Sequence, residues 1–206
     1  MSDREKFIKS LQKLGIDATS EQLEACDTYV NNLLKWQKKI NLVGASTLKE
    51  PYTRHLLDAV QLVPRVPRGT LLDVGSGAGI PGLILSIFLD NPITLCERIA
   101  KKTSFLNDTI RKVNLEDKCS VLTQDVTYIN QVYDIITGRA VTNITNFLSL
   151  TSRQRYADTH YILQKGKGAE DEINAASNIW AFECTHYNSA VSTDSKVLLL
   201  SNVKER

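Results

Sequence analysis

Cysteine, net charge and long apolar runs are all scarce in this 206-residue chain, and each scarcity removes a class of protein. Its four cysteines, Cys26, Cys96, Cys119 and Cys184, are scattered, with no Cys-x-x-Cys pair. That spacing argues against a disulfide framework or a zinc site and for buried thiols in a reducing cytoplasm, so no metal is expected. No apolar run is long enough to span a bilayer, and the polar N-terminus does not read as a signal peptide. A net charge of +2 is too small to establish a nucleic-acid partner, which leaves that question to the distribution of the basic residues. The length and a hydrophobic content of 42% allow one domain, or one domain with an extension, around a sizeable core.

Glycine is concentrated where it is informative. Leu71 to Gly82 reads LLDVGSGAGIPG. The run 70–74 is short, apolar and suited to a buried parallel strand. Gly75, Gly77, Gly79 and Gly82 then permit a tight reversal and a close ligand approach, and Pro81 stands where a helix would open. A strand, a glycine turn and a helix make the cofactor corner of a doubly wound α/β sheet. The acid Asp73, two residues before the first glycine, favours S-adenosylmethionine (SAM) over a dinucleotide, whose sites usually carry an apolar residue there. Gly77, Gly79 and Gly82 also fit Gly-x-Gly-x-x-Gly, so a dinucleotide and a purely structural turn remain the alternatives.

Around this corner the chain divides into two parts. Residues 1–66 read as a helical cap, with Phe7, Ile8, Leu11 and Leu14 sharing one face and Gly15 closing the first helix. Thr19 to Gln22 and Thr47 to Glu50 are capping-box candidates opening two further helices, the last running through Leu62. Pro64, Pro67 and Gly69 mark the boundary with a domain over 67–206. There, strand patterns at 70–74, 93–96, 120–123, 133–137 and 160–163 alternate with helical ones at 81–88, 100–113 and 143–156. A helix at 169–180 and strands at 182–190 and 197–201 complete a mostly parallel, Rossmann-like sheet with an N-terminal helical extension.

Ligands in such sheets sit beyond the carboxyl ends of the strands. Glu97, after the second strand, is placed to take both hydroxyls of a ribose, with a solvated loop acid as the bland alternative. Asp125, after the third, is placed for an adenine amino group with the backbone of Val126 beside it, although aspartate also favours turns. Arg139, after the fourth, suits a cofactor carboxylate or an RNA phosphate, against the bland reading of a surface ion pair. No Asn/Asp-Pro-Pro-aromatic turn follows the fourth strand, which argues against methylation of an exocyclic amine. No cysteine sits in a late-strand loop, which argues against cytosine-C5 chemistry. What remains is an atom already nucleophilic, such as guanine N7, that needs only alignment and exclusion of water.

The basic residues cluster on one predicted helix. Arg98, Lys101, Lys102, Arg111, Lys112 and Lys118 lie on or around it, with Lys165 and Lys167 in a loop on the same open face. They read as phosphate contacts, against the alternative of a solvated helix face. Tyr29 and Trp36 read as packing residues rather than base-stacking platforms. His55, next to Arg54 and one turn from Asp58, reads as a polar capping cluster.

With these residues in hand, the chain resembles the RsmG (GidB) family of small-subunit ribosomal RNA methyltransferases. The resemblance runs from about Asn31 to Ile173, through WQKKINLVGAS, RHLLDAV, LLDVGSGAGIPGLILSI, the Glu97–Leu106 pattern ER-x-x-KK-x-x-FL, TGRAV and KGKGAEDEI. Asn41-Leu42, Arg54-His55, the Gly-Ile-Pro-Gly ending and Gly-Arg-Ala are together specific to it. It implies a class I fold and SAM-dependent N7 methylation of one guanine in 16S rRNA, free or in the small ribosomal subunit. The expected cofactor contacts are Asp73, Gly75, Gly77, Gly79, Ile80, Glu97, Asp125, Val126 and Arg139, with Arg139 also in the catalytic role. The expected RNA contacts are Arg54, Lys101, Lys102 and Lys165, in a cytoplasmic monomer. The chain departs from the family in lacking Arg-x-Glu after the third strand, where Gln124-Asp125-Val126-Thr127 stands, and a Gly-Gly turn before the fifth. A SAM methyltransferase acting on a small molecule or protein is the competing reading, and a non-enzymatic RNA-binding protein leaves the glycine loop unexplained.

Overall fold

The computed structural model describes all residues, Met1–Arg206. Seven strands form one sheet: β1 (Leu71–Val74), β2 (Ile93–Cys96), β3 (Cys119–Leu122), β4 (Ile135–Arg139), β5 (His160–Lys165), β6 (Trp180–Asn188) and β7 (Lys196–Glu205). Their order is β3-β2-β1-β4-β5-β7-β6; the first five are parallel, and β7 pairs antiparallel with both β5 and β6. The strand order reverses between β1 and β4, and a crevice opens at that point beyond the carboxyl ends.

Side chains alternate across the strands and divide the core between the two faces. Leu71, Ile135 and Ile162 join the cluster on one face, and Leu72, Ile136 and Leu163 join that on the other. The first face carries α1 (Asp3–Lys13), α2 (Ser20–Gln37), α3 (Leu57–Val60), α4 (Gly82–Phe88) and α5 (Ala100–Lys112). The second carries α6 (Ile144–Leu150) and α7 (Ala169–Ser177). Phe7, Leu11, Tyr29 and Leu33 from the N-terminal helices lie in the same cluster as Leu83, Phe105 and Leu106. Polar ties reinforce the packing: Tyr29 Oη donates to Ala78 O (2.8 Å), Asn32 Nδ2 to Thr109 Oγ1 (2.8 Å) and Trp36 Nε1 to Asp108 (2.9 Å). Tyr29 and Trp36 are thus packing residues, as their spacing suggested.

Three local expectations need correction. The capping box at Thr19 forms, with Thr19 and Gln22 exchanging side-chain-to-backbone bonds. The box at Thr47 does not: Thr47 Oγ1 bonds Gly44 O and His55, while Glu50 pairs with Lys6. In place of one third helix the chain makes a 3₁₀ turn over Ala45–Lys49, a π turn over Tyr52–Leu56 and then α3. Finally, α6 stops at Leu150 instead of running to 156, because Gln154 is buried and bonds the loop before β4 through Ile129 O and Tyr133 N.

Candidate functional site

The glycine loop is built on the end of β1, whose four residues are all buried. Gly75, Gly77 and Gly79 have φ of +67°, +55° and +78°, a backbone region that L side chains avoid. The N–H groups of Gly75 and Ser76 both bond Cys96 O, which fastens the loop to β2. At Gly82 a Cβ would lie 2.5 Å from Leu95 Cδ2 and 2.6 Å from Asp73 Cβ, so only glycine lets α4 start this close to the sheet.

Asp73 was expected among the cofactor contacts, and the structure places it behind them. It is fully buried, its Oδ2 accepts from Gly82 N–H (3.1 Å) and its main-chain oxygen accepts from Ser76 Oγ (2.9 Å). Its other carboxylate oxygen has no partner, and burial pushes its pKa up to about 7. Asp73 therefore clamps the loop to the start of α4 from below. Ile80 likewise turns its side chain into the core, and Gly79 packs against Leu83 and Leu106.

Between the loop and the ends of β2, β3 and β4 lies a cavity of about 500 Å³, whose walls include Gly75, Glu97, Asp125, Val126 and Arg139. Glu97 accepts from Gly77 N–H through Oε2 (3.0 Å) and from Ile99 N–H through Oε1 (2.9 Å), so its carboxylate is held rigidly at the wall. Asp125 has both of the readings its position allowed. One oxygen caps the following turn by accepting from Thr127 N (3.0 Å) and Oγ1 (2.8 Å), while the residue also lines the cavity. Those donors hold its pKa below the usual carboxylate value. Cys96 also reaches this wall, but it is buried with its Sγ donating to Gln124 O (3.3 Å), and burial pushes its thiol up to about 12.

Arg139 stands at the end of β4 with its guanidinium Nη1 2.9 Å from Asp58 Oδ2, a pair formed across 81 residues. Asp58 is largely buried at the tip of α3, and burial raises its pKa although Arg139 pulls it down. Its other oxygen accepts from Gln61 Nε2 (2.9 Å), and its main-chain oxygen from Gln164 Nε2 (2.7 Å). Neither Asp58 nor these two glutamines was singled out from the sequence for this place. The only available signal was the His55–Asp58 spacing, which puts a polar pair in an otherwise apolar helix. His55 does not join the pair: its Nε2 bonds Thr47 Oγ1 (2.8 Å), and burial with the nearby Arg139 and Arg54 charges lowers its pKa to about 4. Beyond Arg139 lies a second cavity of about 430 Å³, which shares Arg139, Ala140, Val141 and Thr142 with the first.

The basic residues separate into free and committed groups. Arg54 and Lys101 are exposed, Lys102 lines the first cavity, and none of the three has an acidic partner. Arg111 and Lys112, at the far end of α5, are tied to Asp108, and Lys118 to Leu89 O and Asp90. Lys165 is the clearest correction. Its side chain is only 11% exposed, donates to Thr142 O (2.6 Å) and pairs with Glu172 (2.9 Å), so it is not available to a phosphate.

The profile of a family described as rRNA small subunit methyltransferase G (GidB) matches residues 22–199. The chain belongs to the GidB family. The matched span contains the glycine loop, Glu97, Asp58 and Arg139. A GidB relative from Ectopseudomonas mendocina, named ribosomal RNA small subunit methyltransferase G, is 35% identical over 186 residues, covering 88% of this chain and 87% of its own. One of the same name from Paramagnetospirillum magneticum is 33% identical over 196 residues, covering 94% of each. Among solved structures, a putative S-adenosyl-L-methionine-dependent methyltransferase from Methanococcus maripaludis superposes with a TM-score of 0.60 at 14% identity, covering 86% of this chain and 93% of that one. This last likeness is one of fold, and it agrees with the Rossmann-like class I sheet.

Proposed function

We propose that this GidB-family chain methylates N7 of a guanine in 16S rRNA with SAM as methyl donor. The observation that carries the reading is the first cavity: a rigid carboxylate, Glu97, faces the left-handed glycine loop at the strand-order reversal of a family member. Its residues suit SAM. Gly75 keeps the loop free of a Cβ, which would meet Val141 Cγ2 at 3.0 Å, and Glu97 and Asp125 offer acceptors for ribose hydroxyls and an adenine amine. Arg139 brings a cation where a cofactor carboxylate and the target meet. The bound cofactor supplies an electrophilic methyl group. For N7, whose lone pair carries no proton, the chain has only to align the base and exclude water. Nothing after β4 resembles a carbonyl clamp for an exocyclic amine, since Ala140-Val141-Thr142 stands there.

Exposed Lys101 and Arg54 and the cavity-lining Lys102 supply the phosphate contacts in this reading, and Lys165 drops out of that set. Residues 1–66 serve as a helical cap over the domain 67–206, in a cytoplasmic monomer acting on rRNA or the small subunit. No helix is long and apolar enough to cross a membrane. Calorimetry with SAM tests the cofactor assignment. Gly75→Asp, placed in a left-handed position and against Val141, removes binding while the far-ultraviolet spectrum stays native; undiminished affinity overturns it.

A further inference from the structure

The second cavity differs in electrical character from the first and from the surrounding surface. Every cation on its wall is already compensated: Arg139 by Asp58 (2.9 Å), Lys165 by Glu172 (2.9 Å) and Lys196 by Glu170 (2.6 Å). A phosphate entering here would meet an acid beside each base. What the wall does offer is neutral hydrogen-bonding capacity. The hydroxyls of Thr142 and Ser195 make no bond within the chain and can each donate and accept. Val141 presents exposed apolar surface on the wall common to both cavities. The unpaired Arg54, Lys101 and Lys102 lie outside this cavity, as does Lys167, which follows Gly166 of its wall.

Four separate parts of the chain close the cavity. Asp58 and Gln61 come from the N-terminal part, Arg139 to Thr142 and Lys165 from the strand ends, Glu172 from α7, and Ser189, Ser195 and Lys196 from the β6–β7 connection and the first residue of β7. Gln61 pins that connection by accepting from Ala190 N–H (2.7 Å) and donating to Ser189 Oγ (3.3 Å). Its volume of about 430 Å³ lies in the range of pockets that hold a small polar ligand.

From this arrangement we propose that the second cavity holds the extruded target purine base, with Ser189 and Ser195 of the β6–β7 connection in its outer wall. The inference rests on the rRNA methyltransferase reading and adds the place, the neutral chemistry of the occupant and a new wall. A base turned out of its stack enters a cavity whose wall charges are paired and whose free hydroxyls offer hydrogen bonds. Its N7 edge is then turned towards the Arg139–Thr142 segment that both cavities share, the side on which the cofactor cavity opens. The flanking phosphates stay outside, where Arg54, in an adjoining cavity that shares Asp58, Arg139 and Ser195, and Lys102 remain uncompensated.

Small subunits from cells lacking this methyltransferase, radiolabelled SAM and the full-length protein provide the test. Ser195→Trp fills the cavity from a loop position, and Gly166→Phe does so from a second wall position where an added Cβ meets nothing within 4 Å. Thr193→Trp puts the same bulk on the exposed side of the same loop and serves as the control. Ser195→Trp and Gly166→Phe are expected to lower kcat at least tenfold with the Kd for SAM and for subunits within about twofold of wild type, while Thr193→Trp turns over normally. Normal turnover by both cavity-filling variants overturns the proposal. So does a loss of subunit affinity at unchanged kcat, which marks the cavity as a phosphate surface. Failure of the wild-type protein to methylate subunits at all refutes the broader functional reading instead, and is read separately from the variant comparison.

Discussion

Glu97 and Asp73 are both acids buried at the glycine loop, yet they face opposite sides of it and should respond differently to the same chemical change. Glu97 lines the cofactor cavity with each oxygen already accepting one backbone N–H, which leaves further lone pairs directed by a fixed geometry. Glu97→Gln replaces one acceptor oxygen by a donor and is expected to weaken SAM binding by about 1–3 kcal/mol, the worth of hydrogen bonds to a charged group. Thermal melts with and without SAM check this: the ligand-induced shift shrinks while the ligand-free melting temperature moves little. Asp73 supports the fold from behind, and its pKa of about 7 lies above that of an unfolded aspartate. Between those two values the native state holds a proton that the unfolded chain has released, so this residue's contribution to stability is largest in acid and is lost as pH rises towards 7. His55, lowered to about 4, contributes with the opposite sign, because the unfolded chain takes up a proton the native state refuses. The comparison of wild type with Asp73→Asn isolates the first effect. Asn keeps an acceptor for Gly82, and its stability relative to wild type is expected to rise between pH 4 and 7 in denaturant titrations. A pH-independent difference contradicts the assignment.

At the scale of elements, α5 shows how a basic stripe is divided by its own neighbours. At its C-terminal end Asp108 neutralises Arg111 and Lys112 and also accepts from Trp36, so that end serves the docking of α2. At its N-terminal end Lys101 and Lys102 have no acid to satisfy them and stand beside the cofactor cavity. The double substitution Lys101→Ala with Lys102→Ala is expected to reduce RNA methylation and leave SAM affinity within about twofold. Each lysine–phosphate contact releases counterions, so the slope of log affinity for RNA against log salt should flatten by about two units at most. Filter binding over a salt series measures this, and an unchanged slope with normal methylation returns the helix to a solvated face. The same logic explains Lys165. It sits in a basic stretch and reads as a free cation, but Glu172 on α7 and the Thr142 carbonyl claim it.

Across the whole molecule, what could be read from the sequence was what depends on near neighbours along the chain. The glycine loop, the alternation of strands and helices and the Thr19 capping box are set by residues within a few positions of one another, and all form. What could not be read depends on distant partners. Thr47 and Glu50 carry the residues of a capping box, but His55 and Lys6 draw them elsewhere. Arg139 was placed at the mouth of the sheet, yet its partner Asp58 comes from the N-terminal part and was legible only as a polar residue in an apolar stretch. Asp73 was noticed for its position before the glycines, and only packing reveals that it faces the helix start and not the cavity. These long-range ties join the N-terminal helices, the glycine loop and the β6–β7 connection around one pair of cavities, the arrangement on which the proposed base methylation rests. The most direct test of that account is borohydride–aniline cleavage, which cuts RNA at N7-methylguanine, applied to 16S rRNA after small subunits lacking the modification are incubated with the purified protein and SAM. The account predicts cleavage at a single new guanine, dependent on both protein and SAM; methyl transfer to a protein or small molecule with the rRNA left uncut would contradict it.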